Sequence, residues 1–206
     1  MRCTREARNI VALSAIAASV LGSGPALAYC PTAASARNGF VLVSEARGIR
    51  TEVQPSQDDM LTSNLIIGGK LQSTSTYYKG YLVTRIVYGS GTTSTPSYDF
   101  DYTKDPPFAE GYHKAFRMTL TQANGAATTL TVETTVVGHE RISVGDCALD
   151  TLVIEGRTEF ADASVQTRRG HFSPLLRTFV RATFTNSNAP SSTTVFDRIE
   201  PAGATR

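Results

Sequence analysis

The sequence predicts an all-β chain: a single antiparallel β-domain, built as a curved sheet, an open barrel or a sandwich, behind a cleaved signal peptide. Three observations predict it. Runs of β-branched and aromatic residues of strand length recur along the chain, bounded by Gly, Pro, Asn or Asp. No heptad, internal repeat or long amphipathic helix interrupts them. An Asn124-Gly125 pair joins two alternating segments, and such a pair suits the positive φ values of a type I′ hairpin turn.

Residues 1–28 are expected to be removed. Arg2, Arg5 and Arg8 form a basic start, residues 10–21 an apolar run, and Ala26-Leu27-Ala28 supplies small residues for cleavage after Ala28. The apolar run is too short to span a bilayer comfortably. A lipid-acceptor Cys follows a small residue, whereas Cys30 follows Tyr29, so soluble export to the periplasm or medium is the expectation. Residues 29–206 then form the β-rich domain, with 186–206 read as a partly mobile tail.

The strands follow in order. Residues 39–45 are an apolar run, and 49–54 alternate as its partner up to Pro55. Asp58-Asp59 mark a turn, and 65–67 a short strand closed by Gly68-Gly69. Residues 80–88 are rich in β-branched and aromatic side chains. Residues 90–96 read as loop. Tyr98, Phe100 and Tyr102 then alternate with polar residues, placing three rings on one face of a strand that Asp105-Pro106-Pro107 ends. Phe116, Met118 and Leu120 form a half-buried strand leading into Asn124-Gly125.

Residues 126–158 read as three strands in close succession. The first carries Leu130, Val132 and Val136; the second, past a bend at Gly138, carries Ile142 and Val144. Cys147 opens the third, with Leu149, Leu152, Val153 and Ile154. Residues 165–172 read as a polar strand exposing Arg168 and Arg169. Leu176, Val180 and Phe184 face the core from the next, and Val195, Phe196 and Ile199 add a last short strand or dock. The total comes to roughly nine to eleven strands.

The segment from Val136 through Gly138-His139-Glu140-Arg141-Ile142-Ser143-Val144, followed by His171-Phe172-Ser173-Pro174, resembles the C-terminal half of a group of exported bacterial β-proteins of unknown function. That group carries a V-x-G-x-E-x-(I/V)-x-V segment before a small turn. Its aromatic-rich front and its Trp are missing here, and Asp146-Cys147 replaces its ordinary turn. The resemblance implies a periplasmic sheet-based fold and supplies no catalytic residue.

Composition narrows the function classes. Three Arg and one Glu leave with residues 1–28, so 17 basic and 17 acidic residues remain of the 20 and 18. A neutral chain without a basic run gives no support for nucleic-acid binding. Cys3 leaves too, and Cys30 and Cys147 form the even pair expected of a disulfide in an oxidising compartment. His113, His139 and His171 show no metal-ligand spacing. Asp58-Asp59 and Asp99/Asp101 do not follow a calcium loop, and Gly89-Ser90-Gly91 is not a nucleophile elbow. No catalytic residue, metal or cofactor is therefore assigned.

The one constellation with a binding character is Tyr98, Phe100 and Tyr102 with Tyr81 upstream; rings on a concave sheet face line apolar pockets. The leading expectation is a non-enzymatic exported carrier for an apolar or lipid-like ligand, with no transmembrane segment after cleavage. The alternatives are an envelope-associated structural or protein-interaction domain, and a hydrolase or isomerase built on His139, Glu140 and a distant Asp.

Overall fold

The computed structural model describes residues 29–187 and 189–203; the expected signal segment lies outside them. Thirteen strands form one antiparallel sheet. They are β1 (Phe40–Ser44), β2 (Ile49–Pro55), β3 (Met60–Ile67), β4 (Lys70–Tyr78), β5 (Leu82–Tyr88), β6 (Thr93–Tyr98) and β7 (His113–Gln122). They continue through β8 (Ala127–Val144), β9 (Cys147–Glu159), β10 (Val165–Ser173), β11 (Thr178–Asn186), β12 (Ala189–Val195) and β13 (Arg198–Pro201). Ahead of them, a one-turn helix α1 (Ala33–Ala36) is capped by Thr32 and Ser35, each bonding the other's backbone.

From β1 to β12 each strand pairs with the next, and β13 returns to pair with β1. This connectivity dictates the shape. β12 and β13 occupy opposite edges of the sheet, yet only Phe196 and Asp197 separate them in sequence. Three residue steps span about 11 Å at most, so the sheet must roll until its edges meet. The edges join through the chain and side chains rather than a ladder. Asp197 N–H donates to Val43 O at 2.7 Å, and Arg47 in the β1–β2 turn donates to Thr193 O at 2.6 Å. The roll is thus an open barrel in outline, neither a sandwich nor a closed ring.

Two apolar clusters lie within it. The larger joins Phe40, Leu42, Leu61, Val144, Leu176 and Val180 with their neighbours; the smaller joins Phe108, Val136, Leu152, Ile154 and Phe172. The disulfide forms between Cys30 and Cys147, which are 117 positions apart, and holds the lead-in to the start of β9.

Several elements differ from the sequence reading. The first two strands of 126–158 are a single 18-residue strand, β8, with a register shift between Val136 and Gly138. A bulge turns the strand without ending it, which is why Gly138 read as a bend. Strand β4 went unpredicted because its residues are polar and half exposed, leaving no apolar alternation to read. Within residues 186–206, β12 lies on β11 and β13 on β1.

Strand β6 runs through Pro96, not after it, and ends at Tyr98 instead of continuing to Tyr102. It pairs with β5 only at Thr93 and Ser94, so Pro96 lies beyond that ladder, where a missing N–H costs little. At the β7–β8 hairpin Gly125 alone has positive φ, at 85°. Gly125 N–H donates to Gln122 O at 2.9 Å, and Asn124 Oδ1 accepts from Ala126 N–H at 3.0 Å. This is a three-residue loop ending in a left-handed glycine, in place of the expected two-residue turn.

The β4–β5 turn holds the two halves of the roll together. Gly80 has φ of 83°, and an added Cβ would sit 1.8 Å from Arg177 O in the β10–β11 turn. Arg177 in turn bonds Asp59 O in the β2–β3 turn. Gly80→Ala combines a strained φ with a backbone clash and should lower the unfolding free energy by about 2–4 kcal/mol, read from the urea midpoint. A midpoint within error of wild type would refute this close approach.

On the outer side of β1 and β13, Glu200 accepts from Arg198 Nε at 2.7 Å and Arg50 Nη1 at 2.8 Å. Partial burial works to raise its pKa, but these bonds and the two guanidinium charges together hold it below the ordinary value. The stabilisation this gives is present above the unfolded Glu pKa, about 4.3, and is lost as pH falls through the depressed folded value. The urea midpoint should therefore fall below about pH 4.3, and Glu200→Gln should show less of that fall. An identical acid limb in both proteins would disprove it.

Candidate functional site

The two clusters fill the concave side of the roll only in part. Two cavities occupy it, one of about 260 Å³ and one of about 310 Å³. The first is walled by Tyr98, Phe116, Met118 and Val132 from β6, β7 and β8, and by Phe108 and Tyr112 from the β6–β7 connection. The second is walled by Leu65, Ser73 and Ser75 on β3 and β4, and by Ala182 and Phe196 opposite. Tyr77, Tyr81, Arg168 and Phe184 line both, so the two cavities adjoin across these four side chains.

The sequence candidates divide accordingly. Tyr98 and Tyr81 line the first cavity. Tyr98 donates to Val83 O at 2.7 Å, and burial raises its pKa far above the ordinary phenol value, so the ring is held neutral. Phe100 and Tyr102 lie beyond the end of β6 and outside the cavity lining. Phe100 packs on Tyr98 and Phe116 with Lys114 Nζ 3.3 Å from its centroid, and Tyr102 starts a short 3-10 turn against Tyr78. The alternation that predicts three rings on one face of a strand ends with the strand, at Tyr98.

Residues 99–112 fold over one end of the concavity. Phe108 stacks on Tyr81 with centroids 3.8 Å apart and meets Tyr112 and Phe172 edge-on. Under this plug lies Asp105, whose side chain has no exposed surface. Its carboxylate pairs with Lys114 and accepts from Tyr112 OH at 2.9 Å and Tyr81 OH at 3.0 Å. Burial first, then the Asp105 charge and hydrogen bond, push both phenols well above their usual pKa. In the sequence Asp105 marks only the start of the Asp-Pro-Pro break.

Arg168 corrects the reading of β10. Arg169 is exposed and pairs with Glu155, as expected of a surface arginine. Arg168 turns inward and is half-buried, with its guanidinium carbon 4.3 Å from the Phe179 ring centroid. Its Nε finds no hydrogen-bond partner. Desolvation lowers its pKa to about 10 despite the opposing influence of Tyr77. Gly156 lies opposite it in the ladder, and a Cβ there would rest in ordinary contact, 3.5 Å from Arg168 Nη2. Strand alternation counted back from buried Phe172 would have assigned Gly170 and Arg168 to the same face.

The candidate chemistry of the histidines disperses. His139 lies 3.7 Å from Glu110, while Glu140 pairs with His171 at 2.8 Å instead of with His139. That bond and the His171 charge lower the Glu140 pKa. His113 meets Thr135 Oγ1 at 2.9 Å. Among the described residues no group of three or more His, Cys, Asp or Glu is placed to hold a metal ion, and no helix is long and apolar enough to cross a membrane.

No family model and no curated protein matches the chain. Among solved structures, the hypothetical lipoprotein YmcC from Escherichia coli K12 is similar to it with a TM-score of 0.47 and 9% identity. That comparison covers 78% of this chain and 83% of YmcC.

Proposed function

We propose that the chain is an exported, non-enzymatic binding or carrier module that holds an apolar, lipid-like ligand in the concavity of its sheet. The observation that carries this is the adjoining pair of aromatic-walled cavities. Protein interiors are close-packed with few voids larger than water, so unfilled apolar space of this size suits an occupant. Tyr98 and Tyr81 are the sequence candidates that line it. The Cys30–Cys147 bond supports passage through an oxidising compartment, in keeping with a signal segment at 1–28 and a periplasmic or secreted location.

Native mass spectrometry of the protein purified from its own host tests the proposal. A mass excess that survives gentle desalting, or saturable uptake of an apolar fluorescent dye, is expected. An unliganded mass together with no dye uptake would rule it out.

A second reading, an envelope-associated interaction domain without a small ligand, draws on one feature. Among the described residues strand β12 forms a ladder only with β11, and apart from Thr193 O, which Arg47 holds, its other backbone edge has no strand beside it. Crosslinking in intact cells that traps a partner through β12 residues would favour it.

A further inference from the structure

The cavity walls are rings, aliphatic groups, hydroxyls and amides, with one exception. Among the described residues Arg168 is the sole charged side chain lining either cavity, and no Asp or Glu lines them. An enclosed cation is normally paired, because losing water costs several kcal/mol unless a counter-charge and hydrogen bonds replace it. Here the replacements are incomplete. The Phe179 face offers one cation–π contact, while Nε is buried without an acceptor. A guanidinium carries five N–H donors in a planar fork that matches carboxylate and phosphate oxygens. It sits where the two apolar cavities adjoin, so a bound anion would have apolar space on either side.

Resting on the carrier reading, we infer that the ligand is an anionic amphiphile whose carboxylate or phosphate pairs with Arg168 while its apolar chain lies along the aromatic wall. Size points to a modest chain. At about 30 Å³ per methylene-sized unit, each cavity takes roughly ten carbons. Retaining an unpaired cation there lowers the stability of the empty protein, the kind of cost that binding sites carry.

The test uses the exported protein, wild type and Arg168→Gln, with dodecanoate, dodecyl phosphate and dodecanol displacing an apolar fluorescent dye. One or both anions should compete at roughly 10- to 100-fold lower concentration than the alcohol. Arg168→Gln should remove that advantage, bringing the anions to the level of the alcohol, and Arg168→Lys should keep part of it. Whichever anion competes better assigns the head group. Equal competition by anions and alcohol, or an advantage that survives Arg168→Gln, would overturn the inference while leaving the carrier reading intact. Failure of the dye and all three probes to bind would remove both. Competition by acetate or inorganic phosphate as strong as by the amphiphiles would overturn the chain requirement. Because the cation lacks a partner in the empty protein, Arg168→Gln should unfold at an equal or higher urea concentration. A markedly lower midpoint would reveal an internal partner and also overturn the inference.

Discussion

Replacing Asp105 with alanine is expected to lower the unfolding free energy by about 3–5 kcal/mol, the range for breaking a buried ion pair by removing one member. The carboxylate side chain is fully enclosed and bonds Lys114, Tyr112 and Tyr81. Without it, a largely buried ammonium and two phenol groups lose their common acceptor beside Phe108 and Phe172. The cost therefore comes mainly from the donors left behind. Asp105→Asn should also destabilise, since its amide presents a donor to groups that themselves donate. Lys114→Met paired with Asp105→Leu should recover much of the loss, because both charges are then gone and the site is apolar. Urea unfolding at neutral pH measures all three. A loss under about 1 kcal/mol for Asp105→Ala would mean that water, not protein, satisfies these donors.

The same substitution bears on the site. Lys79 donates to the backbone oxygen of Asp105, and Tyr81 OH lies 2.6 Å from Pro106 O, so this cluster anchors the 99–112 connection at the cavity end. Loosening it withdraws the Phe108 plug. Asp105→Ala should therefore speed dye exchange even at temperatures where the protein stays folded.

A local pattern reports what a residue shares with its neighbours in the chain, and is silent on partners brought in by the fold. Strands β1, β5, β7 and the start of β8 alternate apolar and polar residues, or run wholly apolar, and were legible from that alone. Strands β4 and β12 are polar, β12 at an edge and β4 exposed along its first half, so their structure comes from ladder partners that a local pattern cannot show. Tyr81 and Tyr98 were found because rings are conspicuous. Arg168 was not, since arginine beside arginine reads as solvated, and its inward turn follows from the strand parity set by Phe172. Asp105 was invisible as a site, because Tyr81 and Lys114 reach it only once β5 and β7 have closed around β6.

The second large effect concerns the Cys30–Cys147 bond. Reducing it is expected to lower the unfolding free energy by roughly 4–5 kcal/mol, shifting the urea midpoint by about 2 M. The size follows from what the bond encloses. Its closed loop contains all of β1 through β8, so in the unfolded chain it restrains more than half of the described residues. In the folded protein its contribution is local: it ties the lead-in and α1 to β9, where Ala36 and Cys147 belong to the larger cluster. These two roles separate experimentally. If the bond acts mainly on the unfolded chain, reduction moves the global midpoint while protease sites near residue 30 stay protected at low urea. If it acts mainly by holding the lead-in, the global midpoint barely moves and cleavage near residue 30 becomes fast. Loop length argues for the first outcome, because a cross-link closing so long a loop removes far more freedom from the unfolded chain than fraying of a ten-residue lead-in restores to the folded one.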